Sequence, residues 1–73
     1  MTHAEKIIIS FLSKNPKAWF SKKEIARHAV RREEYEQNPR WADIPLRALV
    51  GRGIVEVDER GLYRLNPNAQ IFE

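Results

Sequence analysis

Apolar residues recur at helical spacing in three stretches of the chain and alternate with polar ones in a fourth. Ala4, Ile7, Ile8, Phe11 and Leu12 follow one another at offsets 3, 4, 7 and 8, which is one face of a helix. Thr2-His3-Ala4-Glu5 ahead of them fits a capping box, and Asn15-Pro16 supplies the stop, because proline disfavours helical geometry in the residue before it. The same code returns at Ser21-Lys22-Lys23-Glu24, ahead of Ile25, Ala26, Ala29 and Val30. Beyond Val30 the stripe fades into Arg31-Arg32-Glu33-Glu34-Tyr35-Glu36, read as a charge-paired extension of the second helix or an extra turn before Asn38-Pro39. Asp43 is expected to cap a third helix, with Pro45 in its first turn and Leu46, Leu49 and Val50 on its buried side. Gly53 fits the left-handed residue that closes it.

Two segments carry strand character. Ala18-Trp19-Phe20 is a short aromatic run between the first two helices, and Ile54-Val55-Glu56-Val57 with Leu62-Tyr63-Arg64-Leu65 reads as a hairpin. A three-residue loop, Glu59-Arg60-Gly61 with Gly61 left-handed, sets Val57 opposite Tyr63, Glu56 opposite Arg64 and Val55 opposite Leu65. One face is then wholly apolar and the other holds an opposite-charge pair; a two-residue loop would mix the faces. The expected core is Ile7, Ile8, Phe11, Leu12, Ile25, Ala29, Leu46, Leu49, Val50, Ile54 and Tyr63, with Trp19 added as core area and Trp41 as a plug over it. Asn66-Pro67 opens a last turn.

Length narrows these elements to one domain, residues 1–73, with a core about 2–65 and a tail 66–73. Cysteine is absent, which excludes disulfides and thiolate metal sites, and two histidines alone do not make a metal centre. No cofactor is implied. No spacing of serine, histidine and acid suggests a triad, so the chain is read as a non-enzyme. Gly51-Arg52-Gly53 follows a helix and does not open one, so it is not a phosphate loop. The longest apolar run, Ile7-Ile8-Ile9, is far short of a membrane span, and there is no basic leader into an apolar stretch; a cytoplasmic location is expected.

The order helix, short strand, helix, helix, hairpin, with Leu46-x-x-Leu49-Val50-x-x-Gly53-Ile54-Val55 running into the hairpin, resembles the winged helix-turn-helix superfamily. The resemblance covers roughly residues 2–65 and rests on the ordered set, since no single piece of it is specific. It implies an α+β fold of three helices and a small three-stranded antiparallel sheet, and binding of double-stranded DNA by a small transcription regulator. By position it implies that the third helix enters the major groove with Arg47, Ala48, Gly51 and Arg52 facing the DNA. Ser21, Lys22 and Lys23 would meet phosphate at a helix N-terminus, and Arg60 would sit at the wing tip. The connection Arg31 to Ala42 is several residues longer than the family pattern.

Charge agrees with that implication in part. The net charge is +3 and the pI about 9.6. Between positions 17 and 32 six cations stand against one acid, whereas residues 38–73 hold five arginines and five acids. Lys22, Lys23 and Arg27 are therefore the expected phosphate contacts, with Ser21 and Arg60. Arg47 is the best candidate for a bidentate contact to guanine, helped by Arg52 or Arg40, because Asn, Gln, Ser and Thr are all absent between Pro39 and Gly53. Each of these basic residues has an alternative as a solvated side chain packing its stem on the core. Asp58 and Glu59 flank Arg60 and would repel phosphate. A second function class stays open, a winged-helix protein-interaction module without DNA binding. It would use Ile9, Ile71 and Phe72 as a homodimer or partner surface.

Overall fold

The computed structural model describes residues 1–69 and has four helices and one small sheet. Helix α1 (His3–Ser13) leads to strand β1 (Phe20–Ser21), then α2 (Lys22–His28), α3 (Arg32–Gln37), α4 (Asp43–Gly51), β2 (Val55–Val57) and β3 (Leu62–Leu65). The strands form an open antiparallel sheet in the order β1-β3-β2. The architecture is α+β, with the helices packed on one face of the sheet. The expected cytoplasmic location is not addressed by the structure; among the described residues no helix is long and apolar enough to cross a membrane.

Both capping boxes form. Thr2 Oγ1 accepts from the Glu5 amide while Glu5 returns a carboxylate oxygen to the Thr2 amide, and Ser21 with Glu24 repeats the exchange. The hairpin has the register expected from its turn, Val55↔Leu65, Glu56↔Arg64 and Val57↔Tyr63, with Gly61 at φ 82°. Gly53 takes φ 75° after α4, where a side chain would be strained.

The sequence reading is corrected in five places. There are four helices, not three. α2 stops at His28 and α3 begins afresh after an extended Arg31, so the charged stretch is not an extension of the second helix but a separate short helix. The break turns the chain back so that Tyr35 packs against the core, which a straight helix would carry into solvent. Asp43 is the first residue of α4 and not its cap; Ala42, buried and helical in φ and ψ, takes that position without a side-chain bond. On α1 the buried line is Glu5, Ile8, Ile9 and Leu12, one residue round from the expected stripe. Ile7 is left half-exposed and Ile9 is in the core, so Ile9 cannot serve as a partner surface. The β1 strand is displaced by a residue from the run centred on Trp19, and Trp19 lies off the core. Phe20 pairs with Tyr63, and strand alternation puts Trp19 on the opposite face, where the Arg64 guanidinium lies 4.5 Å from its ring centre. Ile71 and Phe72 lie outside the described residues.

The core itself is Ile8, Ile9, Leu12, Ile25, Ala26, Ala42, Leu46, Leu49, Ile54 and Val55. Phe11, Phe20, Ala29, Val50, Tyr63 and Leu65 close around it half-buried, and Phe11 and Phe20 meet with ring centres 5.0 Å apart in a tilted pair.

Candidate nucleic-acid interface

Two contacts fix α4 in the molecule and so decide which of its sides faces out. Trp41, just ahead of the helix, donates from Nε1 to the Ala26 carbonyl on α2 at 2.9 Å, as a plug between the two helices. At the other end Arg52 Nη1 donates to Glu5 Oε2 on α1 at 2.8 Å. Glu5 is buried, yet both its oxygens are used, one by Thr2 and one by Arg52. The hydrogen bonds from Thr2, with a smaller contribution from Arg52, hold its carboxyl below the usual glutamate range.

Between these anchors Leu46 and Leu49 point into the core and Pro45 and Val50 lie at its margin. Ile44, Arg47, Ala48 and Gly51 are exposed. At 100° per residue Ile44 and Gly51 fall on one line, with Arg47 and Ala48 to either side. The expected outward positions Arg47, Ala48 and Gly51 are therefore together on one face. Arg52 is turned instead toward α1 by its pair with Glu5.

Arg47 opens into a shallow groove lined by Lys22, Asp43, Arg47, Val50, Val57 and Tyr63. One wall is the start of α2, one is α4, and the third is the β2–β3 hairpin. Thus Lys22 and Arg47, from different helices, share one concave surface beside the hairpin. Asp43 lies between the cations. Its carboxylate is 3.5 Å from Lys22 Nζ and 3.5 Å from Arg40 Nε. The cations of both pairs are exposed, where an ion pair is weak. Arg47 has no ion-pair partner among the described residues.

Lys23 and Arg27 line a second groove, between α2 and α3, with His28, Arg32, Tyr35 and Glu36. Arg27 lies over the Tyr35 ring at 6.0 Å, and Arg32 pairs with Glu36 at 3.0 Å. Ser21 is occupied by its cap. Its hydroxyl accepts from the Glu24 amide, and the Glu24 carboxylate takes the Ser21 amide, so the box is closed from within. The Ser21 amide first, with the Ser21 side chain beside it, holds the Glu24 carboxyl below the usual glutamate range. The box engages the Ser21 and Glu24 amides.

Arg60 is at the hairpin tip but folded onto it. Its Nε and Nη2 both donate to Asp58 Oδ2, at 2.9 and 2.8 Å, while Asp58 Oδ1 accepts from the Arg60 and Leu62 amides. On the outer face of the sheet Arg64 pairs with Glu56. Of the expected contacts, the structure gathers Lys22 and Arg47, with Arg40 joined through Asp43; it holds Lys23 and Arg27 one groove away and ties Arg52 and Arg60 to acids. The sequence reading missed Asp43 as the hub between Lys22 and Arg40. The Arg40–Asp43 spacing of three residues was a signal for half of it, whereas the link to Lys22 depends on tertiary packing.

No protein-family model matches the chain, and no curated protein or solved structure was found to be similar to it.

Proposed function

We propose that the chain is a winged helix-turn-helix domain that binds double-stranded DNA, in the manner of a small transcription regulator. In this reading α4 enters the major groove, Arg47 meets a base edge, and Lys22 holds a flanking phosphate. Lys23 and Arg27 extend the phosphate grip along α2. The observation that carries it is the meeting of Lys22 and Arg47 in one groove beside the hairpin. The element order and the pairing of β1 with β3 support the winged architecture. Arg52 and Arg60 are left out of the contact set, because each already has a carboxylate partner.

The test is titration of labelled duplex at two salt concentrations with the wild type and two variants. Lys22→Gln weakens binding about equally on all sequences and lowers the salt slope by about one. Arg47→Ala costs about 1–3 kcal/mol on the preferred site and much less on random duplex. Absence of binding at low salt refutes the proposal. Equal losses for both variants leave an electrostatic binder without a reading helix.

A protein-interaction module is the second reading, and it draws on the same face. Val57, 43% exposed, lines the groove, and Ile44, 77% exposed, lies on the outward face of α4. The duplex reading is preferred because Arg47 shares the outward face of α4 with Ile44, and Lys22 lines the same groove as Val57.

A further inference from the structure

Ile44 is the most exposed large apolar side chain among the described residues, at 77%. A single exposed isoleucine is ordinary on a protein surface. Its place is less so. It lies on the midline of the outward face of α4, in the first turn, with Gly51 behind it on the same line and Arg47 and Ala48 at its sides. Any surface that α4 docks against along this face meets Ile44 first, and Gly51 adds no side chain to hold that surface off. In a helix laid in the major groove, the residues of the N-terminal turns reach the base edges. Only one base presents an apolar group there, the C5-methyl of thymine.

We infer that Ile44 reads a thymine methyl, with Ala48 beside it, next to the base pair that Arg47 contacts. The inference rests on the duplex-binding reading and supplies what that reading lacked, a second specifying residue besides Arg47. The two side chains are three residues apart, a rise of about 4.5 Å along the helix. Successive base pairs are about 3.4 Å apart. The methyl and the contacted guanine therefore belong to neighbouring base pairs, one or two steps apart. Arg47 supplies the donors for guanine and Ile44 the apolar contact, so a short site containing both G and T is preferred. Arg47, beside Ile44 on this face, and Lys22, in the groove that Arg47 also lines, match the charge of a duplex and not that of an apolar protein partner.

The test uses the full chain and a duplex selected from a randomised pool. Each thymine of the selected site is replaced in turn by uracil, which removes the methyl and leaves the pairing edge unchanged. One replacement is expected to weaken wild-type binding about fourfold, the effect of one buried methyl-sized group. In Ile44→Ala, checked for folding by circular dichroism, that thymine-to-uracil ratio falls to one. In Ile44→Val it is largely kept, and in Arg47→Ala it is unchanged while binding to both duplexes weakens. Duplex binding with a ratio of one at every position overturns the inference and leaves the duplex reading standing. A ratio that survives in Ile44→Ala also overturns it. No duplex binding at low salt removes both, and Ile44 then belongs to a protein contact.

Discussion

At the face shared by α2 and α4, Arg47 stands exposed with no acid in ion-pairing distance among the described residues, whereas at the hairpin tip Arg60 is gripped by Asp58 through both Nε and Nη2. Both are outward arginines that the winged-helix proposal would set against DNA. The difference is local. Asp58 stands two residues before Arg60 in a tight turn, so the bidentate pair closes within the loop. Arg47 has only Asp43 one turn away on its own helix, and that carboxylate faces Lys22 and Arg40 instead. The same residue type is thus available on one element and self-neutralised on the other, which composition and net charge cannot distinguish.

The largest expected effect concerns the frame that presents Arg47. Leu49 is fully buried beneath α4, and Leu49→Ala should cost about 2–5 kcal/mol. Val57→Ala on the half-exposed hairpin should cost less than about 1 kcal/mol, since little is left there to empty. Urea unfolding of both variants checks the pair. Similar losses would mean that the hairpin, and not α4, carries the core.

Next comes the contrast between the two arginines. Arg47→Ala should weaken duplex binding by about 1–3 kcal/mol, and Arg60→Ala by less than about 0.5 kcal/mol, the level of a solvated surface substitution. Anisotropy titration at one salt concentration measures both. A larger loss at Arg60 would transfer the reading role to the hairpin.

A smaller effect follows from Asp43. Asp43→Asn keeps the side-chain shape but releases Lys22 and Arg40, so duplex binding should tighten a few-fold and its salt dependence steepen. Weaker binding would show that Asp43 positions the groove and does not merely neutralise it.

The smallest is a pH effect at the hairpin tip. The Asp58 carboxyl is held below the usual aspartate range, first by the Leu62 amide and then by Arg60. A depressed carboxyl stabilises the turn above its unfolded pKa, and the stabilisation is lost as pH falls through the folded value. Acid titration followed by NMR should therefore move the Leu62 and Arg60 amides together, below the ordinary aspartate range. Movement at the ordinary aspartate pKa would mean that the pair does not form.

These outcomes also sort what could be read from the residues. The capping boxes and the hairpin register were legible because each is set by a few neighbouring residues: Thr2 with Glu5, Ser21 with Glu24, and the loop ending in Gly61. The buried side of α1 lies one residue round from the expected stripe because an acid, Glu5, occupies it, held there by Thr2 and by Arg52, which is distant in sequence. Ile9 was consequently placed outside and Ile7 inside. The break before α3 has no strong local stop, and Tyr35 beyond it packs against the core, a long-range contact. At the site, the outward positions of Arg47, Ala48 and Gly51 followed from the leucine stripe. Which cations were free did not, because pairing with Asp43, Asp58 and Glu5 depends on side chains brought together by turns and packing. Ile44 shares the outward face with Arg47, but it lies off the Leu46, Leu49 and Val50 stripe and carries no charge, so the pattern marks it neither as core nor as a contact.

The most direct measurement of the central claim is NMR shift mapping on adding duplex to the labelled full chain. The account predicts that the largest shifts fall on Lys22, Ile44, Arg47 and Ala48, with smaller ones along Lys23 and Arg27, while Arg60 and the outer α1 residues Lys6 and Lys14 stay quiet. Shifts centred on the hairpin tip or on α1, or none at low salt, would contradict it.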